Sequence, residues 1–389
     1  MKVLLFTRPG IGGAATVVES LVRFLPAEGV DLTVLCSPLE DPAYPDRLAS
    51  YGVPVRVVRL EREPAPLSDL AVYVALAGML REARFDVLHL HTTKPGLIGR
   101  MVASRVSPST KVVYTPHGFY FQYAPSEAKR SFYLEMERAL GRETDLLVAC
   151  STQEGELAIA EGVIPPERLV VVPNGVDLEA CRSTEDPAAT RRRFGFLEGD
   201  VVVSMAARMV APKDPLCVVR AAARLAARHP RLRVLLVGDG PLRADAEAET
   251  ARLGVGGVVR FHAAVRPLAP VYAMSAATVL STSSEGLPMV VLESLACGVP
   301  VVASDLPGCR EVIEEGGTGL VFPPGSDEAL AAALDRLLSD ERLRAAIGEA
   351  GRRRIEGRHD ARAGAKRVAE AYRQQAGLAS RLDGGSGGK

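Results

Sequence analysis

Residues 277–305, ATVLSTSSEGLPMVVLESLACGVPVVASD, decide the fold. The segment opens with an apolar, partly β-branched run, ATVLSTS, passes through a polar loop, enters a helix-period stretch at Pro288 and closes on a second apolar run, PVVASD. Proline in a first helical turn forfeits no hydrogen bond, so the helix is expected to begin there. Strand, loop, helix and strand in that order form one crossover unit of a parallel sheet.

The same rhythm runs in both directions. KVLLFT, DLTVLCS, VRVVRL, DVLHL, KVVYTP, DLLVACS and LVVVP are the predicted strands of the first half, with helical segments between most of them. After VVPNGVD the pattern restarts with DVVVSMAAR, RVLLVGDG, VVRFHA, ATVLSTS, PVVASD and GLVFPP. The expected fold is α/β, two doubly wound Rossmann-like parallel-sheet domains. Open α/β sheets bind ligands beyond the carboxyl ends of their strands, so the two are expected to face a central cleft. The Pro-Asn-Gly turn places the boundary near Asn174 to Asp177, giving domains of 1–176 and 177–359. A helix over about 360–377 is able to pack on either domain, and 378–389, ending in RLDGGSGGK, reads as a flexible tail.

Bulk properties narrow the function. At 389 residues the chain exceeds what one core usually serves. Hydrophobic residues at 47% and charged residues at 24% describe a soluble globular protein. Lys plus Arg and Asp plus Glu both number 47, so no global field recruits nucleic acid and any anion must be met by a local cluster. Six cysteines (Cys36, Cys150, Cys181, Cys217, Cys297 and Cys309) are far apart and form no C-x-x-C pair, which argues for small core residues in a reducing compartment. The start MKVLLFTRPG has four consecutive apolar residues, too few for a signal peptide or a membrane span, and a cytoplasmic protein is expected.

The candidate chemistry lies at strand ends. Glu285 stands in the loop before the helix opened by Pro288, and Glu293, eight positions on, stands within that helix beside Met289, Val290, Ala296 and Cys297. A carboxylate emerging from so apolar a face needs a partner, and either a sugar's vicinal hydroxyls or an Arg would serve. Arg208 and Lys213 follow the strand DVVVSMAA, with Asp214 and Pro215 as N-cap and first residue of the next helix. A Lys at a helix N-terminus is unfavourable without an anion, and with Arg208 it could clamp a diphosphate; two solvated loop charges are the plain alternative. Gly10, Gly12 and Gly13 let bare backbone approach a phosphate or sugar. Gly10, Gly12 and Ala15 also match the dinucleotide fingerprint, but Asp31 begins its strand, whereas a ribose-binding acid belongs at the carboxyl end, which demotes an NAD enzyme. His117 follows a strand and precedes Gly118, a position from which it can donate to a sugar hydroxyl, although a lone His is more often structural. His89 and His91 share a strand face without a third metal ligand at a suggestive spacing, there is no D-x-D, and no metal or cofactor is expected. Seven of the 19 Phe and Tyr fall between Tyr114 and Tyr133; Tyr114 is expected in the core, while others suit either the core or an exposed platform.

Taken together, EGLPMVVLESLACGVPVVASDLPGCREVI, ARMVAPKD, VPNGVD and PHGF resemble the retaining glycosyltransferases of family 4, which have the two-domain GT-B fold. That resemblance implies Glu285 on hydroxyls of the donor sugar, Glu293 on the ribose, and Arg208 with Lys213 on the leaving diphosphate. It implies His117 beside the sugar's outer hydroxyl. It further implies a nucleotide pocket lined by Gly238 and by Arg260 with Phe261, and a phosphate site at Gly286, Leu287 and Pro288, with Gly12 and Gly13 as further donor contacts. Members commonly show GRL before the diphosphate Lys, where this chain has ARMVAPK. The C-terminal helix would cross back to the first domain. HTTKPGLIGR and YTPHGFYF are similar to stretches of capsule and exopolysaccharide transferases, implying a glycan, lipid-linked or small-molecule acceptor and leaving peripheral contact with the inner membrane leaflet open.

The expected activity is transfer of a hexose or N-acetylhexosamine from a nucleotide-sugar donor, UDP-linked by preference, to an acceptor hydroxyl with retained configuration. A non-catalytic sugar-nucleotide-binding subunit and an epimerase on the same fold are the alternatives.

Overall fold

A computed structural model describes residues 1–8, 12–183 and 185–377. The expectations attached to Gly10 and to a tail over 378–389 lie outside the described residues. The chain divides into two compact units, Met1–Asn174 with the segment from Ala361 onward, and Gly175–Asp360.

The first unit begins with β1 (Lys2–Phe6), α1 (Gly13–Phe24), β2 (Asp31–Cys36), α2 (Tyr44–Ala49), β3 (Val55–Val57) and α3 (Pro66–Glu82). It continues with β4 (Val87–His91), α4 (Thr93–Val106), β5 (Lys111–Thr115), α5 (Glu127–Gly141), β6 (Leu146–Ala149), α6 (Thr152–Ala160) and β7 (Leu169–Val171). The strands are parallel, in the order β3-β2-β1-β4-β5-β6-β7. Period-two alternation sends the side chains of each strand into two separate cores: Val3 and Leu5 pack on one face of the sheet, Leu4 and Phe6 on the other.

The second unit holds α7 (Pro187–Arg193), β8 (Val201–Ala206), α8 (Pro215–Leu225), β9 (Leu232–Val237), α9 (Arg243–Arg252), β10 (Val259–His262) and α10 (Ala269–Met274). It is completed by β11 (Ala277–Leu280), α11 (Met289–Ala296), β12 (Val301–Ser304), α12 (Pro307–Arg310), β13 (Leu320–Phe322), α13 (Asp327–Ser339) and α14 (Glu341–Arg358). Its six parallel strands run β10-β9-β8-β11-β12-β13. All thirteen predicted strand segments are strands. The helix of the deciding segment starts one residue later than expected. Pro288 is its N-cap, with extended φ and ψ of −75° and 115°, while its carbonyl already accepts from the amides of Val291 and Leu292.

The last helix, α15 (Ala361–Gln375), belongs to the first unit. Ala365, Val368, Ala369 and Tyr372 enter the same core as Val18, Leu21 and Val22 of α1, and Arg373 donates to the carbonyl of Glu28.

Candidate functional site

In the second unit the strand order reverses between β8 and β11, a topological switch point of the kind beyond whose strand ends open α/β sheets bind ligands. Lys213 comes from the β8 loop and Glu285 from the β11 loop, and they form an ion pair, with only 22% and 17% of their side chains exposed. Ser281 welds the two loops together. Its hydroxyl donates to the carbonyls of Lys213 (3.0 Å) and Asp214 (2.8 Å), and the Ser283 amide donates to Pro212 (2.8 Å). Asp214 caps α8 by accepting from the Cys217 amide at 3.1 Å, at a left-handed φ of 35°.

Arg208 is exposed at the end of β8, and its guanidinium makes no hydrogen bond or ion pair with a described residue. Gly238 sets the height of that loop: a Cβ there would lie 2.0 Å from the carbonyl oxygen of Ala207, so only glycine lets the end of β9 pass. Gly308 does the same beneath Gly286, whose carbonyl oxygen would sit 1.5 Å from an added Cβ. Leu287 and Pro288 are buried at the start of α11. Arg260 and Phe261 stand apart from this cluster, on the edge strand β10. Arg260 donates to the Phe194 carbonyl (3.4 Å) and lies over the Phe196 ring, and Phe261 packs against the core.

Glu293 has a partner that sequence reasoning missed. Tyr272 of α10 donates its hydroxyl to Glu293 at 3.0 Å, and the Arg266 charge acts on the same carboxyl. Burial nevertheless dominates and raises Glu293 from its ordinary 4.5 to about 7. No sequence signal links residues 272 and 293, because they stand on different helices, α10 and α11, that only the folded sheet brings together.

In the first unit the corresponding reversal lies between β1 and β4. Gly12, with φ 86°, is the N-cap of α1 and Gly13 its first residue. His117 follows β5 at a φ of 55°, a left-handed conformation that is costly for a side chain this size. The Glu154 carboxylate holds it there by accepting from the amides of Gly118 (2.6 Å) and Cys150 (2.7 Å). His117 is not the isolated histidine that the sequence suggests: its Nε2 is 2.9 Å from His91 Nδ1, and its Nδ1 is 3.4 Å from Cys150 Sγ. Burial lowers His117 to about 4, so the ring is neutral at pH 7. Of the neighbouring aromatics Tyr114, Phe119 and Phe121 are buried, whereas Tyr120, Tyr123 and Phe132 are exposed. Among the described residues no group of three or more His, Cys, Asp or Glu is arranged to hold a metal, and no helix is long and apolar enough to cross a membrane.

Comparison with known proteins assigns the chemistry. Residues 187–354 match the family model of the glycosyl transferases group 1, and residues 12–175 that of the glycosyl transferase 4-like domain. A D-inositol 3-phosphate glycosyltransferase of Rhodococcus jostii is 32% identical over 376 residues, covering 89% of this chain and 82% of the relative. The chain belongs to the group 1 glycosyltransferases. A second relative of this group 1 enzyme, the putative glycosyltransferase EpsD of Bacillus subtilis, is 28% identical and covers 78% of this chain and 79% of its own. Anabaena HepE, solved in complex with UDP-glucose, superposes with a TM-score of 0.82 at 22% identity, over 96% of this chain and 100% of that one. The group 1 glycosyltransferase described here accordingly has the GT-B type of fold, with two Rossmann-like parallel-sheet domains.

Proposed function

We propose that this glycosyltransferase moves a hexose or N-acetylhexosamine from a UDP-linked donor to an acceptor hydroxyl with retained configuration, in bacterial polysaccharide or glycolipid synthesis. The observation that carries this reading is the pairing of Lys213 with Glu285, with Arg208, which pairs with no described residue, on the same β8 loop as Lys213, so that two cations and a carboxylate belong to one topological switch point. In this reading Arg208 and Lys213 neutralise the departing diphosphate, and the loop of Gly286, Leu287 and Pro288 supports its oxygens at the start of α11. Glu285 binds donor-sugar hydroxyls, Glu293 the ribose, and His117 the outer sugar hydroxyl. Gly12 and Gly13 let backbone approach the donor, while Gly238, Arg260 and Phe261 serve the nucleotide side, the last two through packing. The complex of HepE with UDP-glucose supports the choice of nucleotide. Attack comes from the face the diphosphate leaves, a phosphate oxygen taking the acceptor proton.

We place the acceptor on the first unit and the enzyme in the cytoplasm. The exposed rings of Tyr120, Tyr123 and Phe132 support a lipid-linked acceptor and peripheral contact with the inner membrane leaflet.

The test is a panel of nucleotide sugars incubated with acceptor extracts and read by mass spectrometry. UDP release with a UDP-sugar and a mass increase of one sugar on the acceptor are expected; release of no nucleotide from any donor would refute the reading. Arg208→Ala is expected to weaken donor binding about tenfold or more, the loss of one charge-assisted contact of about 1.5–3 kcal/mol, measured as donor Kd.

Glu293 supplies a pH-dependent signature. A folded carboxyl at about 7 keeps a proton that the unfolded chain releases near 4.5, so this group makes the fold less stable as pH rises through that window. Ribose hydroxyls donating to the carboxylate favour its charged form. UDP binding at pH 7 is therefore expected to release about half a proton, read by calorimetry in buffers of different ionisation enthalpy, and Glu293→Gln to abolish the release. Proton release unchanged in Glu293→Gln would remove Glu293 from the ribose site.

A further inference from the structure

His91 is fully buried at the end of β4. Its ring lies 4.0 Å from that of His89 and stacks on that of His117 at 5.2 Å and 26°, and its Nε2 has no hydrogen-bond partner among the described residues. His89 is satisfied on both sides, by Tyr372 Oη at 2.5 Å on Nδ1 and by Thr115 Oγ1 at 2.8 Å on Nε2. Burial lowers His89 to about 3 and His91 well below its ordinary value, so with His117 these are three neutral rings at pH 7.

A neutral imidazole carries one proton, and the contact between His91 Nδ1 and His117 Nε2 can run two ways. If His117 donates, His91 keeps its proton on Nε2, where an N–H is buried without an acceptor. If His91 donates, only a bare lone pair is buried there. Orphaned buried N–H groups are rare in folded proteins, which selects the second direction. His117 then carries its proton on Nδ1, facing the Cys150 sulfur at 3.4 Å, a weak acceptor.

We propose that His91 is a positioning residue that holds His117 as the Nδ1–H tautomer, so that this N–H, only weakly held by Cys150, is available to an oxygen of the bound sugar. The inference rests on the reading of His117 as a donor-sugar contact. The backbone agrees with it: Glu154 ties together the two loops that carry His117 and Cys150 through the amides of Gly118 and Cys150, while His91 contacts the His117 ring itself.

Two measurements test it on the full chain. Long-range proton–nitrogen correlation spectra of protein with labelled histidine, six residues in all, should show His117 protonated on Nδ1 and His91 on Nδ1. His117 protonated on Nε2 in the unaltered protein would overturn the proposal without any variant having to fold. His91→Phe, which cannot donate, should lower kcat about tenfold or more, equivalent to about 1.4 kcal/mol, with donor KM changed less than about threefold. His91→Asn, whose amide can donate from near the position of Nδ1, should recover most of that loss and keep the His117 tautomer. A folded His91→Phe with normal kcat, or an equal loss in the Asn variant, would overturn the proposal. His117→Ala separates the two levels: full activity there refutes the role of His117 itself, whereas a defect there beside a silent His91→Phe refutes only the role of His91.

Discussion

Lys213→Ala is expected to lower kcat by about 10²- to 10³-fold, the range for removing one preorganised group that stabilises developing charge. The effect should exceed that of an ordinary surface lysine for two reasons. The ammonium is held by Glu285 and its backbone by Ser281, so it needs little reorganisation when negative charge builds on the leaving diphosphate. Its loss also leaves the partly buried Glu285 carboxylate without its cation, beside the position proposed for the sugar. Glu285→Gln should be comparably damaging, and the double variant should lose less than the product of the two single losses, because residues acting as one unit are not additive. Steady-state kinetics on all three variants decide it. Losses that multiply would mean that the pair does not act as a unit.

Glu137→Ala is expected to destabilise the first unit by about 3–5 kcal/mol. Arg100 and Glu137 form a buried ion pair at 2.8 Å, with 0% and 2% of their side chains exposed. The guanidinium also donates to the Gly96 carbonyl at 2.8 Å and lies 4.1 Å from the Tyr114 ring centroid, while the Tyr114 hydroxyl donates to the other Glu137 oxygen at 3.1 Å. This cluster joins α4, α5 and β5. Removing the carboxylate strands a positive charge with no route to water, which costs far more than the pair contributes. Arg100→Met combined with Glu137→Leu should be much closer to the unaltered protein. Urea unfolding followed by circular dichroism compares them, and a Glu137→Ala loss below about 1 kcal/mol, the level of an exposed pair, would show that the cluster is not sealed from solvent.

Much of the architecture was legible because strand and helix formation rest on short-range patterns. Apolar runs of four to six residues, spaced by helical periods, identify thirteen strands without reference to any partner. The loop positions of Glu285, Lys213 and Arg208 were legible for a related reason: each stands a few residues beyond an apolar strand run, β11 or β8. The contacts of Arg260 with Phe194 and Phe196 were not legible, because they join an edge strand to a segment more than 60 positions away.

By itself the amino-acid sequence determined the α/β class, the thirteen strands and the residues of the β8 and β11 loops, because each depends on neighbours along the chain. Only the tertiary structure decided which loops meet. Strand order brings Lys213 to Glu285 across 72 positions and His117 to His91 across 26, and the packing of α15 on the first unit brings Tyr372 to His89 across 283. It also decided the charge states, since Glu293 at about 7 and His117 at about 4 owe their displacement first to burial. Burial is a property of the folded sheet and its covering helices, and a one-dimensional pattern holds no measure of its depth.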